Sequence, residues 1–207
     1  MADTIFQAFL KRQYEEAMEL AAQSDILDLQ PLDGTPTQRY LATFHAKGLV
    51  KDRAGRVVEA DGCAIGIWLP DDYLRRAETP LVVTYLGPPR PWHPNIMPPF
   101  ICLHLTPGMP LVDLLHTLYE VWTYHLFNVG DEGLNHACAE WVRHQDPTRF
   151  PVDLRPMKRR KLHIDVTPVD NALAFGLCSA KRSASLRRAE SRLNGSADSE
   201  LVGKSGE

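Results

Sequence analysis

Apolar residues recur at helical spacing along the first stretch of the chain. Phe6, Phe9, Leu10, Ala17, Met18 and Ala21 share one side, with Lys11, Arg12, Glu15, Glu16 and Glu19 left for the wet side. The pattern predicts an amphipathic helix over 4–22, capped by Asp3 or Thr4. Pro31 to Pro36, with Asp33-Gly34 between them, reads as a loop. Tyr40 to Val50 reads as a strand, and Asp52 to Gly55 as a hairpin turn. A second extended run covers Val57-Val58 and Cys63 to Leu69, where Gly62 and Gly66 mark a bend or bulge. Pro70-Asp71-Asp72-Tyr73 interrupts that run, and Leu81 to Leu86 makes a short apolar strand stopped by Gly87-Pro88-Pro89.

The next stretch holds Pro88, Pro89, Pro91, Pro94, Pro98 and Pro99. Proline lacks the N–H donor and fixes its own φ, so neither a helix nor a central strand survives that density. A long, rigid, irregular segment is expected, of a kind that is often functional. Cys102 sits just behind it, in Ile101-Cys102-Leu103. Pro110 then opens a helix through Leu111, Leu114, Leu115, Leu118, Tyr119 and Trp122. A last helix over about 131–144 carries Leu134, Ala137, Cys138 and Trp141. Asp131 and Glu132 fit its N-terminal end or, alternatively, late acidic positions near a site. The order predicts an α+β fold: an N-terminal helix, an antiparallel sheet meander of about three strands, and C-terminal helices behind it.

Composition places a boundary. Of 17 aromatics in 207 residues, only Phe175 lies beyond residue 150. Residues 1–150 hold 12 Lys and Arg against 19 Asp and Glu, a net of −7; residues 151–207 hold 11 against 7, a net of +4. A segment without large apolar side chains does not offset the backbone entropy lost on ordering. The expectation is one folded domain at 1–150 and a basic, mostly flexible tail at 151–207. Lys158-Arg159-Arg160-Lys161 opens the basic part, as an electrostatic docking site, a nuclear signal or a solvated run. A short helix over 180–193 would have only a thin apolar stripe.

The formal charge of −3 argues against a polyanion-binding surface, so no nucleic-acid partner is expected. No apolar stretch approaches the roughly 20 residues that span a bilayer, and no membrane partner is expected. The opening Met1-Ala2-Asp3-Thr4 lacks the basic-then-apolar pattern of a secretory signal, which points to the cytoplasm. Cys63, Cys102, Cys138 and Cys178 are poorly placed for disulfides there, and no Cys-x-x-Cys pair suggests zinc. Each is a buried small apolar residue or a reactive thiol. His93, Cys102 and His104 offer three metal ligands, but their 9- and 2-residue separations match no known finger, and no fourth ligand is obvious. A cysteine hydrolase would need a histidine within hydrogen-bond reach of Cys102.

Several of these residues together resemble the ubiquitin-conjugating enzymes. Ile67-Trp68-Leu69-Pro70-Asp71-Asp72-Tyr73 is similar to the strand-ending Phe-Pro-x-x-Tyr-Pro of that family. His93-Pro94-Asn95-Ile96 matches its His-Pro-Asn motif, and Ile101-Cys102-Leu103 matches the residues around its catalytic cysteine. Asn95 precedes Cys102 by seven residues, about the family's separation, and Pro110 to Tyr119 resembles the helix after the active site. The similarity covers 67–122, and the order of elements extends it to about 4–145.

There are departures. The Gly-Pro and Tyr-x-Gly-Gly elements of the eukaryotic second strand are missing. His104 stands where an acidic residue usually follows the cysteine, and Thr106-Pro107-Gly108-Met109-Pro110 replaces Trp-Ser-Pro. The pattern suits a divergent, bacterial, operon-encoded member. Such relatives work beside an activating enzyme, a ubiquitin-like protein and a deconjugating protease, several of them in antiphage defence.

The resemblance implies thioester transfer: Cys102 receives a ubiquitin-like protein from an activating (adenylating) enzyme and passes it to an amine on a target protein, with no cofactor on this chain. Asn95 would stabilise the oxyanion or brace the loop. His104 would deprotonate the incoming amine or stand as an ordinary histidine. His93, Pro94 and Ile96 would support the loop, and Lys11 and Arg12 on the first helix would meet the activating enzyme or form a plain solvated face. The alternative function is a non-catalytic adaptor of the same fold that binds the ubiquitin-like protein or the activating enzyme.

Overall fold

A computed structural model describes residues 3–130 and 133–157. The chain divides into two units, Met1–Lys161 and Leu162–Glu207, and the described residues belong to the first. Asp131, Glu132, the 158–161 basic run, Cys178 and the 180–193 segment lie outside the described residues.

Helix α1, Thr4–Ala22, begins where the Asp3 carboxylate accepts the N–H groups of Ile5 and Phe6, satisfying donors that a helix N-terminus otherwise leaves open. Four strands follow as an antiparallel sheet in the order β1 (Leu27–Pro31), β2 (Arg39–Phe44), β5 (Cys63–Trp68), β6 (Val83–Gly87). A two-stranded hairpin, β3 (Gly48–Lys51) with β4 (Val57–Ala60), is inserted between β2 and β5. Inward residues alternate with outward ones along β2 and β5, and Tyr40, Ala42 and Phe44 lie opposite Ile67, Ile65 and Cys63. Phe6, Phe9, Leu10, Ala17 and Leu20 of α1 join these residues in the main core, with Leu111, Leu114, Leu115 and Leu118 of α3, Leu111–Trp122. The architecture is α+β, with an N-terminal helix and an antiparallel sheet.

The two helices are tied by a buried polar contact. Pro110, at the N-cap of α3, has no side chain to cap it; the buried Gln13 of α1 supplies Oε1 to the Leu111 N–H at 2.6 Å.

The expected strand Tyr40–Val50 is in fact two. Residues 45–47 spend their backbone groups elsewhere: the His45 N–H on Ile26 O, the Ala46 carbonyl on Trp122 Nε1 at 2.8 Å, and the Lys47 N–H on the Asp153 carboxylate at 2.8 Å. Gly48 follows, and a Cβ there would stand 2.3 Å from the Trp122 ring. The bulge falls at Ala64/Ile65, between the two glycines. Gly62 is needed for a different reason: a Cβ there would reach 2.6 Å from the Phe44 carbonyl. Strand β1 was not anticipated, and Thr79–Val82 forms a one-turn helix, α2, ahead of β6. The last helix is shorter than expected: α4, His136–Arg143, is capped by the Asn135 side chain on Cys138 N, and a 3-10 turn follows at Pro147–Arg149.

Packed chain continues past residue 150, where the folded domain was expected to end. The Val152 N–H bonds Thr123 O at 2.8 Å, Asp153 and Met157 are buried, Tyr119 Oη donates to Arg155 O, and Ser24 Oγ donates to Met157 O. Residues 151–157 form a strap from α4 back to the end of α1. Among the described residues, no helix is long and apolar enough to cross a membrane.

Candidate functional site

The proline-rich segment is not wholly irregular. Two-residue strands β7 (Ile96–Met97) and β8 (Phe100–Ile101) pair across Pro98-Pro99, with Ile96 opposite Ile101 and Met97 opposite Phe100. Ile96 and Ile101 are buried; Met97 and Phe100 are about half exposed. The hairpin leans on the main sheet through the Tyr85 N–H, which bonds Pro99 O at 2.8 Å. Cys102 leaves its end, exposed.

Asn95 holds that exit. Its backbone carbonyl accepts the Cys102 N–H at 2.7 Å, and its Nδ2 donates to the Cys102 carbonyl at 3.0 Å. Its Oδ1 accepts the Asn128 N–H at 2.9 Å, from the loop between α3 and α4. Only one Nδ2 N–H is used on Cys102; the second has no partner among the described residues. Asn135 N adds a further tie to that loop by bonding Pro94 O at 3.0 Å. Pro94 is buried, so the segment 93–96 is clamped from both sides.

His93 is fully buried, and burial without a charged partner lowers its pKa from the usual imidazole range to about 3. It is therefore neutral at physiological pH. Nδ1 accepts the Asn95 N–H at 3.0 Å, which places the proton on Nε2; Nε2 has no hydrogen-bond partner among the described residues. The ring stands edge-on to Tyr124, 4.3 Å between centroids. Tyr124 itself has φ +65, a left-handed conformation rare for a large side chain. Its burial against His93 and Phe150, and the bond from its Oη to the Trp92 carbonyl, hold it there. A second core of Leu49, Trp92, Tyr124, Cys138 and Val142 thus underlies the loop.

The three described thiols differ sharply. Burial pushes Cys63 up well above the ordinary thiol range, and burial takes Cys138 up to about 12 even though its contact with Tyr124 Oη and the charge of Lys51 pull the other way. Neither is a thiolate at neutral pH. Cys102 is exposed and its Sγ accepts no hydrogen bond from a described residue. His104, two residues on, is also exposed and makes no hydrogen bond among the described residues, so no Cys–His pair is formed here. Nor do three His, Cys, Asp or Glu side chains converge on a metal position among the described residues.

Lys11 and Arg12 lie apart from this cluster. They are exposed on α1, 4.0 and 3.9 Å from Glu15 and Glu16. Arg12 borders a groove of about 640 Å3 with Ile5, Phe9 and Leu74. Ile5 is 72% exposed there, an apolar position that helical spacing alone did not single out. The structure thus brings His93, Pro94, Asn95, Ile96 and Cys102 together and leaves Lys11 and Arg12 on a separate face. It adds Asn128, Asn135 and Tyr124. The first two act through backbone N–H groups, which no residue pattern reveals; Tyr124 reads in the sequence as one more aromatic after a helix.

No protein-family model and no curated protein matches the chain.

Proposed function

We propose that this protein is a divergent carrier of the ubiquitin-conjugating type, which takes the carboxyl terminus of a ubiquitin-like protein from an activating enzyme onto Cys102 and passes it to an amine of a target protein. One observation carries the reading. Of the three described thiols, the exposed one follows a rigid hairpin and has both of its peptide groups held by Asn95. The order of elements supports it: a first helix, an antiparallel four-stranded meander, the braced loop, then α3. A bacterial, cytoplasmic setting, with an antiphage role, belongs to the same proposal.

The chemistry needs a thiol that is both a good nucleophile and a good leaving group. The Cys102 thiolate attacks the thioester carbonyl on the activating enzyme. A new C–S bond forms, and the activating enzyme leaves as its own thiolate. An amine then attacks the Cys102 thioester, the C–S bond breaks as the amide forms, and the amine's proton passes to solvent or to His104. The fixed Cys102 backbone limits where Sγ can swing, an orientation effect. Asn95 braces this geometry, and its second N–H is available to the oxyanion of either tetrahedral intermediate.

A non-catalytic adaptor is the second reading. It is favoured by one observation: no described acid or histidine bonds Cys102 Sγ. The deciding experiment supplies the cognate activating enzyme, ATP and the ubiquitin-like protein. An adduct removed by thiol reductant, turned into a stable oxyester by Cys102→Ser and abolished by Cys102→Ala, supports the carrier. A reductant-sensitive adduct surviving in Cys102→Ala overturns the site, and binding with no adduct from the intact chain establishes the adaptor.

A further inference from the structure

A groove of about 430 Å3 opens beside α4, away from Cys102. Its floor is aromatic: Tyr124 stacks on Phe150 at 4.9 Å between centroids, and Phe127 stands 5.7 and 5.5 Å from the two rings. Val129 and Val142 complete the apolar lining. The space suits one or two large side chains, within the usual range for binding sites.

The rim is cationic. Arg143 Nη1 bonds Val129 O at 2.6 Å, and its other guanidinium donors have no partner among the described residues. Arg149, next to Phe150 in the chain, lies over the Trp141 ring at 4.9 Å, with Nη1 on Gln145 Oε1 at 2.8 Å. Among the described residues neither guanidinium is paired with a carboxylate. The acid nearest to Arg149 in the sequence, Asp146, turns its carboxylate onto Thr148 N and Oγ1 at 2.9 and 2.8 Å. Among the described residues, then, Arg143 lines the aromatic groove with no carboxylate partner, and Arg149 stands one residue from its Phe150, in a domain of net charge −7. Arginine prefers to meet planar carboxylates, and apolar pockets anchor a single large side chain.

We propose that this groove docks an acidic peptide segment of a partner protein, seating one large apolar side chain on Tyr124, Phe127 and Phe150 while Arg143 pairs with a neighbouring carboxylate. The site is coupled to the thiol. Phe127 and Val129 flank Asn128, whose N–H holds Asn95 Oδ1, so a seated segment steadies the loop that closes on Cys102. The proposal does not depend on thioester chemistry.

The test titrates the full chain with a short fluorescein-labelled peptide carrying one Phe among Asp and Glu, followed by anisotropy. Saturable one-to-one binding is expected, with amide shifts at Asn128, Val129 and Asn95 in NMR spectra. Replacing the peptide's Phe by Ser, or its acids by Lys, should weaken binding about tenfold or more. Arg143→Ala, at an exposed position, should also cost about tenfold, and Val129→Trp should abolish binding by filling the groove. Equal binding of the lysine peptide, indifference to Arg143→Ala, or no saturable binding overturns the proposal. So does a dimer of the free chain that buries the groove.

Discussion

Asn95 grips Cys102 by both of its peptide groups, taking the N–H on its own carbonyl at 2.7 Å and reaching the C=O with its side-chain amide at 3.0 Å. The same amide holds the Asn128 N–H. Asn95→Ala releases a buried carbonyl contact and a backbone donor together, each worth about 1 kcal/mol in a partly wet site. The expected loss is about 2 kcal/mol, read as a fall in melting temperature of roughly 4–8 °C. In transfer assays, Asn95→Ala should slow discharge to amines more than loading. Equal slowing of both steps would assign Asn95 to bracing alone.

Thiol labelling separates Cys102 from its neighbours. In a Cys178→Ser background, Ellman's reagent at pH 8 should find one reactive group in the native protein and three after unfolding, because burial keeps Cys63 and Cys138 protonated. Two or more groups reacting in the native state would contradict the burial described above.

Asp153 links stability to acid. Burial pushes its carboxyl up, but hydrogen bonds from the Arg155 side chain and from the Lys47 and Arg155 N–H groups outweigh that and bring it down to about 2. A folded pKa below the unfolded value stabilises the protein above the unfolded pKa, and the gain is lost as pH falls through the folded one. The contribution is about 2 kcal/mol at pH 7, disappearing between about pH 5 and pH 2. Denaturant titrations of the natural chain and of Asp153→Asn should differ at pH 7 and converge towards pH 2. A constant gap across that range would refute the linkage.

The strap makes a second stability prediction. A chain ending at 150 loses the Met157 burial, the Asp153 bonds and the ties to Tyr119 and Ser24. Compared with a chain ending at 157, it should be less stable by about 3 kcal/mol, or roughly 10 °C. Equal melting temperatures would mean that residues 151–157 contribute nothing.

Much of this architecture could be read from periodicity. The spacing of Phe6, Phe9, Leu10 and Ala17, and of Leu111, Leu114, Leu115 and Leu118, located two helices because a packed helix leaves that signature whatever it packs against. Strand β1 carries little signature because Leu27-Asp28-Leu29-Gln30 is short and follows α1 after only four residues. The break at 45–47 was invisible for a different reason: it is imposed by Trp122 and Asp153, which lie far along the chain. Aromatic content likewise gave no sign of the packing past 150, since the strap 151–157 has no aromatic of its own and is held by Met157, the Asp153 carboxylate and its backbone carbonyls. At the candidate site, Asn95 and Cys102 stood out by type and spacing, whereas the Asn128 N–H carries no mark in the side-chain pattern. Gln13 also lies on the buried side of α1, where a polar residue looks like an exception until its carbonyl is found on Leu111.

The ring closed between Asn95 and Cys102 makes their separation a matter of length rather than of composition. An inserted or deleted residue within 96–101 would unhook one end of the clasp and carry the sulfur away with it. Substitutions at the outward Met97 and Phe100 would leave the clasp shut. Drift in this hairpin should therefore change what the tip touches long before it changes how many residues the hairpin contains.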